Sequence, residues 1–95
     1  MAAKPIKAFS PWLPADYQLS DAAAIQALAN GDATPEQQQR ALRFIIEEVA
    51  ATYQSTYSPG SDRDTAFAEG KRHVGLQLVK FIKLNLSTII RSKTQ

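Results

Sequence analysis

Few residues in this chain are equipped for chemistry, and their spacing argues against a shared site. His73 is the single histidine, so no multi-histidine metal centre can form. No partner is suggested by its spacing, which favours a structural histidine on the flank of a helix. Cysteine is absent, and with it disulfides, thiolate chemistry and cysteine-based zinc sites. Asp62, Asp64 and Glu69 resemble part of a cation loop, but the calcium-loop pattern needs a glycine and further ligands that are missing. Helix capping accounts for both aspartates. Glu47 and Glu48 are adjacent, and adjacent side chains on a helix diverge by about 100°, so the two cannot share one substrate. No phosphate-binding glycine loop and no nucleophile elbow is present. A non-enzymatic protein is expected, without metal or cofactor, and no small-molecule substrate is evident.

Charge offers a second kind of chemistry. The net charge of +2 hides an asymmetry: residues 1–69 hold five bases against all nine acids, whereas residues 70–95 hold six bases and no acid. Lys71, Arg72, Lys80 and Lys83, with Arg91 and Lys93 behind them, could neutralise phosphates or meet an acidic protein surface. A helix-turn-helix reader is disfavoured, because the link around Tyr57 to Ser61 exceeds the turn of 3–4 residues typical of that motif. Leu76 and Val79 also interrupt the basic side.

Ninety-five residues make one domain, and its pattern is helical. Residues 1–19 read as an extended arm, with Pro5, Pro11 and Pro14 interleaved with Phe9, Trp12 and Tyr17. The arm is expected to pack across its own helices, although its aromatics could equally anchor a partner. A first, alanine-rich helix should start at Ser20 or Asp21 and stop at Gly31. Thr34-Pro35-Glu36-Gln37 is a capping box with proline at the first helical position. Leu42, Ile45, Ile46, Val49 and Tyr53 then form one apolar stripe, and the helix should fade around Gln54 to Tyr57, ahead of Ser58-Pro59-Gly60-Ser61.

A third helix follows Ser61 or Asp62, with Phe67, Gly70, Val74, Leu78 and Phe81 on its apolar face. Gly70 on that face, with Gly75 toward its edge, predicts a close approach to the second helix. Leu86, Ile89 and Ile90 could prolong the third helix, whereas Asn85, Ser87 and Thr88 are poor helix formers. Residues 91–95 should be a frayed tail. The expected fold is therefore all-α: a compact three-helix domain over residues 20–90 behind the arm.

Apolar residues outside the two stripes point to a further contact surface. Trp12, Phe44, Leu76 and Val79 are the candidates, for a protein partner or a second copy of the chain. The opening residues do not read as a secretory signal. No apolar run approaches the roughly 20 residues that span a bilayer, so no membrane partner is expected.

Certain segments carry a resemblance. Pro11-Trp12-Leu13-Pro14-Ala15-Asp16-Tyr17, Asp21-Ala22-Ala23-Ala24-Ile25, Ala33-Thr34-Pro35-Glu36-Gln37-Gln38 and Phe67-Ala68-Glu69-Gly70-Lys71-Arg72-His73-Val74-Gly75 resemble small, mostly uncharacterised proteins of tailed bacteriophages and prophages, often encoded near packaging and capsid genes. That family often shows two arginines where this chain has Lys71-Arg72, which keeps the charge but weakens bidentate phosphate recognition. The resemblance implies an accessory protein in virion assembly or genome packaging, found in the bacterial cytoplasm or with the virion. It supplies no catalytic residues. A DNA-binding accessory or packaging-recognition subunit, using the basic third helix, is the alternative.

Overall fold

The computed structural model describes residues 11–93, and among these the chain is all-α. Four helices follow one another: α1 (Leu19–Asn30), α2 (Pro35–Phe44), α3 (Asp62–Lys83) and α4 (Leu86–Lys93). A π-helical turn, Ile45–Val49, continues directly from α2. Residues 1–10 of the arm and 94–95 of the tail lie outside the described residues.

Local chemistry explains most boundaries. The Thr34 hydroxyl accepts from the Gln37 N–H at 3.1 Å, and the Gln37 side chain accepts from the Thr34 N–H at 3.0 Å. This is the reciprocal box expected at the start of α2. Ser61 caps α3 by accepting from the Asp64 N–H at 3.1 Å. Helix α1 begins earlier than its small polar residues indicate: Gln18 is the cap, its N–H donating to Asp21 Oδ2 at 3.0 Å, and Ser20 lies inside the helix. Gly31 closes α1 at φ 79°, in the left-handed region.

The second helix ends sooner than its apolar pattern predicts, and the reason is the π-helical turn. The Ala50 N–H reaches five residues back to the Ile45 carbonyl at 2.9 Å. Ala51 then adopts φ 51°, a conformation that costs a residue with a Cβ about 1 kcal/mol or more. The elbow is held by the Ile46 carbonyl, which accepts from both the Thr52 N–H (3.1 Å) and the Thr52 hydroxyl (2.6 Å). Thr52 is only 1% exposed.

What the elbow packs against corrects the expected core. The buried face of α3 carries Ala68 and Gly75, with Arg72 and Val79 half-buried beside them. Phe67, Val74 and Phe81, assigned to the core by periodicity, are exposed. The close approach falls at Gly75 and not at Gly70: a methyl group on Gly75 would overlap the Thr52 side chain and touch Ala50 Cβ at 3.0 Å, whereas Gly70 has nothing within 4 Å. The Arg72 guanidinium completes the joint by donating to the Thr52 carbonyl at 3.1 Å. The second stripe is corrected in part, since Ile46 is buried while Leu42, Val49 and Tyr53 stay exposed.

Helices α1 and α2 form a separate hairpin around the fully buried Ala24 and Ala41. Among the described helical elements, α3 meets only the π-helical turn, and α4 packs on none. The bend before α4 lies at Leu84, whose ψ of 138° leaves the helical range. The Asn85 side chain then accepts from the Thr88 N–H at 3.1 Å and starts the new helix. Residues 91–93, expected in a frayed tail, belong to α4. Three main helices and the short α4 make up the described fold, and with so little of α3 covered the radius of gyration is 17.2 Å, against about 12–13 Å for a globular chain of this length.

Candidate interaction face on the third helix

Two stripes run side by side along α3. Ala68 and Gly75 turn inward, and each follows a large apolar residue by one position. That larger stripe is Phe67, Val74 and Phe81, with exposures of 46%, 55% and 65%. A seven-residue step returns to nearly the same side of a helix, so these three residues form a single line. Leu78 lies half-buried beside them. Among the described residues, the arm meets one end of the line. Trp12 meets Phe67 edge-on with ring centroids 6.1 Å apart, an arrangement favoured by the ring quadrupoles. Lys71 holds the arm there by donating from Nζ to the Pro11 carbonyl at 2.7 Å.

Beyond the elbow, α2 and α3 diverge and leave an apolar cleft of about 310 Å³. Its walls include Leu42, Ile46 and Tyr53 on one side and Val79 and Ile82 on the other, with Arg43, Glu47 and Lys83 at the rim. Ile82 is 57% exposed and joins the cleft to the outer stripe. The C-terminal half of α3 is thus apolar around much of its circumference.

The four basic candidates are divided by the fold. Lys71 and Arg72 are half-buried and spend donors on the Pro11 and Thr52 carbonyls. Lys80 and Lys83 are exposed. The first pair therefore holds structure together, and the second faces solvent.

The four interaction candidates are scattered as well. Trp12 sits at the head of the outer stripe, and Val79 lines the cleft. Leu76 is exposed on the far side of α3, at 39%. Phe44 is half-buried at an open polar groove of about 420 Å³ between the hairpin and the chain entering it. Asp21 lines that groove, and its carboxyl is held below its ordinary value of 3.8, first by the Gln18 N–H and then by Arg40. Arg40 Nε lies 2.8 Å from Asp21 Oδ1, and its Nη2 donates to the Gln18 side chain at 3.0 Å.

Reading periodicity as core missed Phe67, Val74 and Phe81 as surface, and Leu42, Tyr53 and Ile82 as a cleft. A usable signal existed in the alternation itself: small residues at 68 and 75 shadow large ones at 67 and 74. Among the described residues, no group of three or more His, Cys, Asp or Glu side chains is placed to hold a metal ion. No helix there is long and apolar enough to cross a membrane. In comparisons with known proteins, no family model, no curated protein and no solved structure matches the chain, so the likeness to phage proteins rests on the quoted residues alone.

Proposed function

We propose that this protein works by contact, as a non-enzymatic accessory component whose third helix is a binding face. One observation carries the reading. The chain buries alanine, glycine and threonine in its joints and leaves Phe67, Val74, Phe81 and Ile82 in water. Exposing a line of large apolar groups is costly to a protein that acts alone, at about 25 cal/mol per Å² of apolar surface. Such patches mark contact surfaces in soluble proteins. The resemblance supplies the setting, virion assembly or genome packaging.

The test is co-expression of the full chain with the proteins encoded beside it. The wild type should co-purify with at least one of them, and Val74→Ser with Phe81→Ser should abolish the association while leaving the helical circular dichroism intact. Association that survives both substitutions defeats the reading.

A DNA-binding role is supported by one feature, the exposed Lys80 and Lys83 within a segment free of acids. It predicts duplex binding that weakens steeply as salt rises and falls further when both lysines become alanine. Lys71 and Arg72 are unsuitable probes, because removing them disturbs the arm and the elbow.

A further inference from the structure

We infer that residues 4–10 of the arm lie along the outer stripe of α3 as a strap, with Phe9 on Val74 and Ile6 on Phe81, and that a partner docks by displacing them. The inference rests on the contact reading above and adds what holds the face until a partner arrives.

The first argument is where the described part of the arm ends. Trp12 meets Phe67 edge-on, and the Pro11 carbonyl accepts from Lys71 Nζ at 2.7 Å, one helical turn further along α3. Followed back by one residue, the arm thus steps from Phe67 toward the C-terminal end of the helix. Pro11 is buried, so the arm is seated at the head of the stripe. A turn at Pro11 and Trp12 separates this point from residues 13–18, which lead to α1.

The second argument is period. Ile6, Phe9 and Trp12 are large and apolar, Lys4, Lys7 and Ser10 are polar, and Pro5, Ala8 and Pro11 fill the third series. A repeat of three matches a polyproline-II helix, whose rise of about 3.1 Å per residue sets each series on its own edge with members about 9.3 Å apart. Prolines at 5 and 11 favour that conformation. On α3, Phe67, Val74 and Phe81 follow one another every seven residues, about 10.5 Å apart. The Trp12–Phe67 contact fixes the register of the two ladders. Phe9 then falls about 1 Å from level with Val74, and Ile6 about 2 Å from level with Phe81.

Charge is compatible with this register. The polar series keeps Lys4 and Lys7 off the apolar edge, so no charge enters the contact. Lys80 and Lys83 project about 120° or more from Val74 around α3, which keeps the basic residues of strap and helix apart. The hold is also weak enough to release. A polyproline-II segment has no internal hydrogen bonds, and beyond Lys71 it is fastened by two apolar side chains, so a partner that buries more of the stripe takes its place.

The chain has no cysteine, so introduced pairs report proximity cleanly. In dilute solutions of the full chain, Phe9→Cys with Val74→Cys and Ile6→Cys with Phe81→Cys should each close a disulfide within one chain. Closure should be on the order of tenfold faster than for the crossed pairs, Phe9→Cys with Phe81→Cys and Ile6→Cys with Val74→Cys, because a disulfide tolerates little error in Cβ separation. The lone thiol of Val74→Cys should be labelled several-fold faster once Ile6→Ser and Phe9→Ser are added, with helical circular dichroism unchanged. Pairs that close at equal rates, or a thiol indifferent to the arm, overturn the strap. Disulfides that join two chains overturn it as well and assign the stripe to a second copy. Displacement is read with the neighbouring-gene product that co-purifies with the wild type: Ile6→Ser with Phe9→Ser should tighten that association several-fold, and an unchanged or weaker one overturns displacement. A chain that cross-links in register but meets no neighbour sinks the contact reading and leaves the strap. A chain that binds through Val74 and Phe81 yet cross-links without preference does the reverse.

Discussion

The two faces of α3 invite comparison, because they are built on opposite rules. The inner face meets the elbow through Ala68, Gly75 and the shaft of Arg72, and its partner surface is Ala50 and the buried Thr52. The outer face presents Phe67, Val74 and Phe81 to solvent. Small residues occupy the inner face because a backbone elbow, and not another helix, must lie against α3, and an elbow comes closer than side-chain packing permits. Large residues sit outside because nothing within the described chain is long enough to cover a 22-residue rod. Contact within the described chain is thus made by backbone proximity, and apolar bulk is kept for a surface that the described residues do not fill.

The largest effect should come from breaking the inner face. Gly75→Ala forces a methyl group into the Thr52 side chain, with Ala50 Cβ 3.0 Å away, so neither neighbour can yield without opening the elbow. Overpacking of this kind costs about 2–3 kcal/mol, more than the gain in helix propensity of about 1 kcal/mol. Thermal unfolding should show the melting temperature falling by roughly 5–15 °C, and a variant as stable as the wild type would mean that the elbow is not seated there. Thr52→Val probes the same joint more gently. It keeps the shape and removes the hydroxyl that donates to the Ile46 carbonyl at 2.6 Å, while the backbone N–H of residue 52 still satisfies that carbonyl. Denaturant unfolding should register a loss of about 1 kcal/mol.

The outer side sharpens the comparison with a change of opposite sign. Gly70→Ala adds a methyl group where nothing lies within 4 Å, inside a helix, and should stabilise the monomer by about 1 kcal/mol. Two glycines five residues apart on one helix thus respond to the same substitution in opposite directions, as paired denaturant titrations would show.

The contrast also explains what could be read from the chain beforehand. Thr34, Gln37 and Ser61 announce their helix starts because capping is local chemistry, settled within four residues. Periodicity correctly marks α3 as amphipathic but cannot say which apolar line is inside, since that depends on what arrives from elsewhere. Periodicity points to Gly70 before Gly75 for this reason: Gly70 lies on the stripe of large residues, which is the open side. The π-helical turn is equally hidden, because nothing in the residues of Ile45–Val49 announces the five-residue reach from the Ala50 N–H to the Ile45 carbonyl. Among the candidate site residues, Trp12 and Val79 sit at the outer stripe and the cleft, whereas Lys71 and Arg72 proved to be fasteners. A side chain's charge can be read in sequence, but the carbonyl it is spent on cannot.

The smallest effect concerns the other small-residue joint, the hairpin around Ala24 and Ala41, where an ion pair substitutes for bulk. Asp21 joins the start of α1 to α2 through Arg40 at 2.8 Å, and its carboxyl titrates below the ordinary 3.8. A carboxyl with a lowered value in the folded state contributes stability above its unfolded value and loses it as pH falls through the folded one. Acidification from neutral through the ordinary aspartate range and below should therefore loosen the hairpin. The check is the difference in stability between wild type and Asp21→Asn as a function of pH. The wild type should be the more stable at pH 7, the gap should shrink on acidification, and it should be smallest once Asp21 is protonated in both states. Because the pair is partly open to solvent, added salt should narrow the gap at pH 7 as well. The Gly75 contact is with Thr52 and Ala50, neither of which ionises, and should leave no such signature, so a gap that persists at low pH would mean that Asp21 serves the hairpin by shape, as Gly75 serves the elbow.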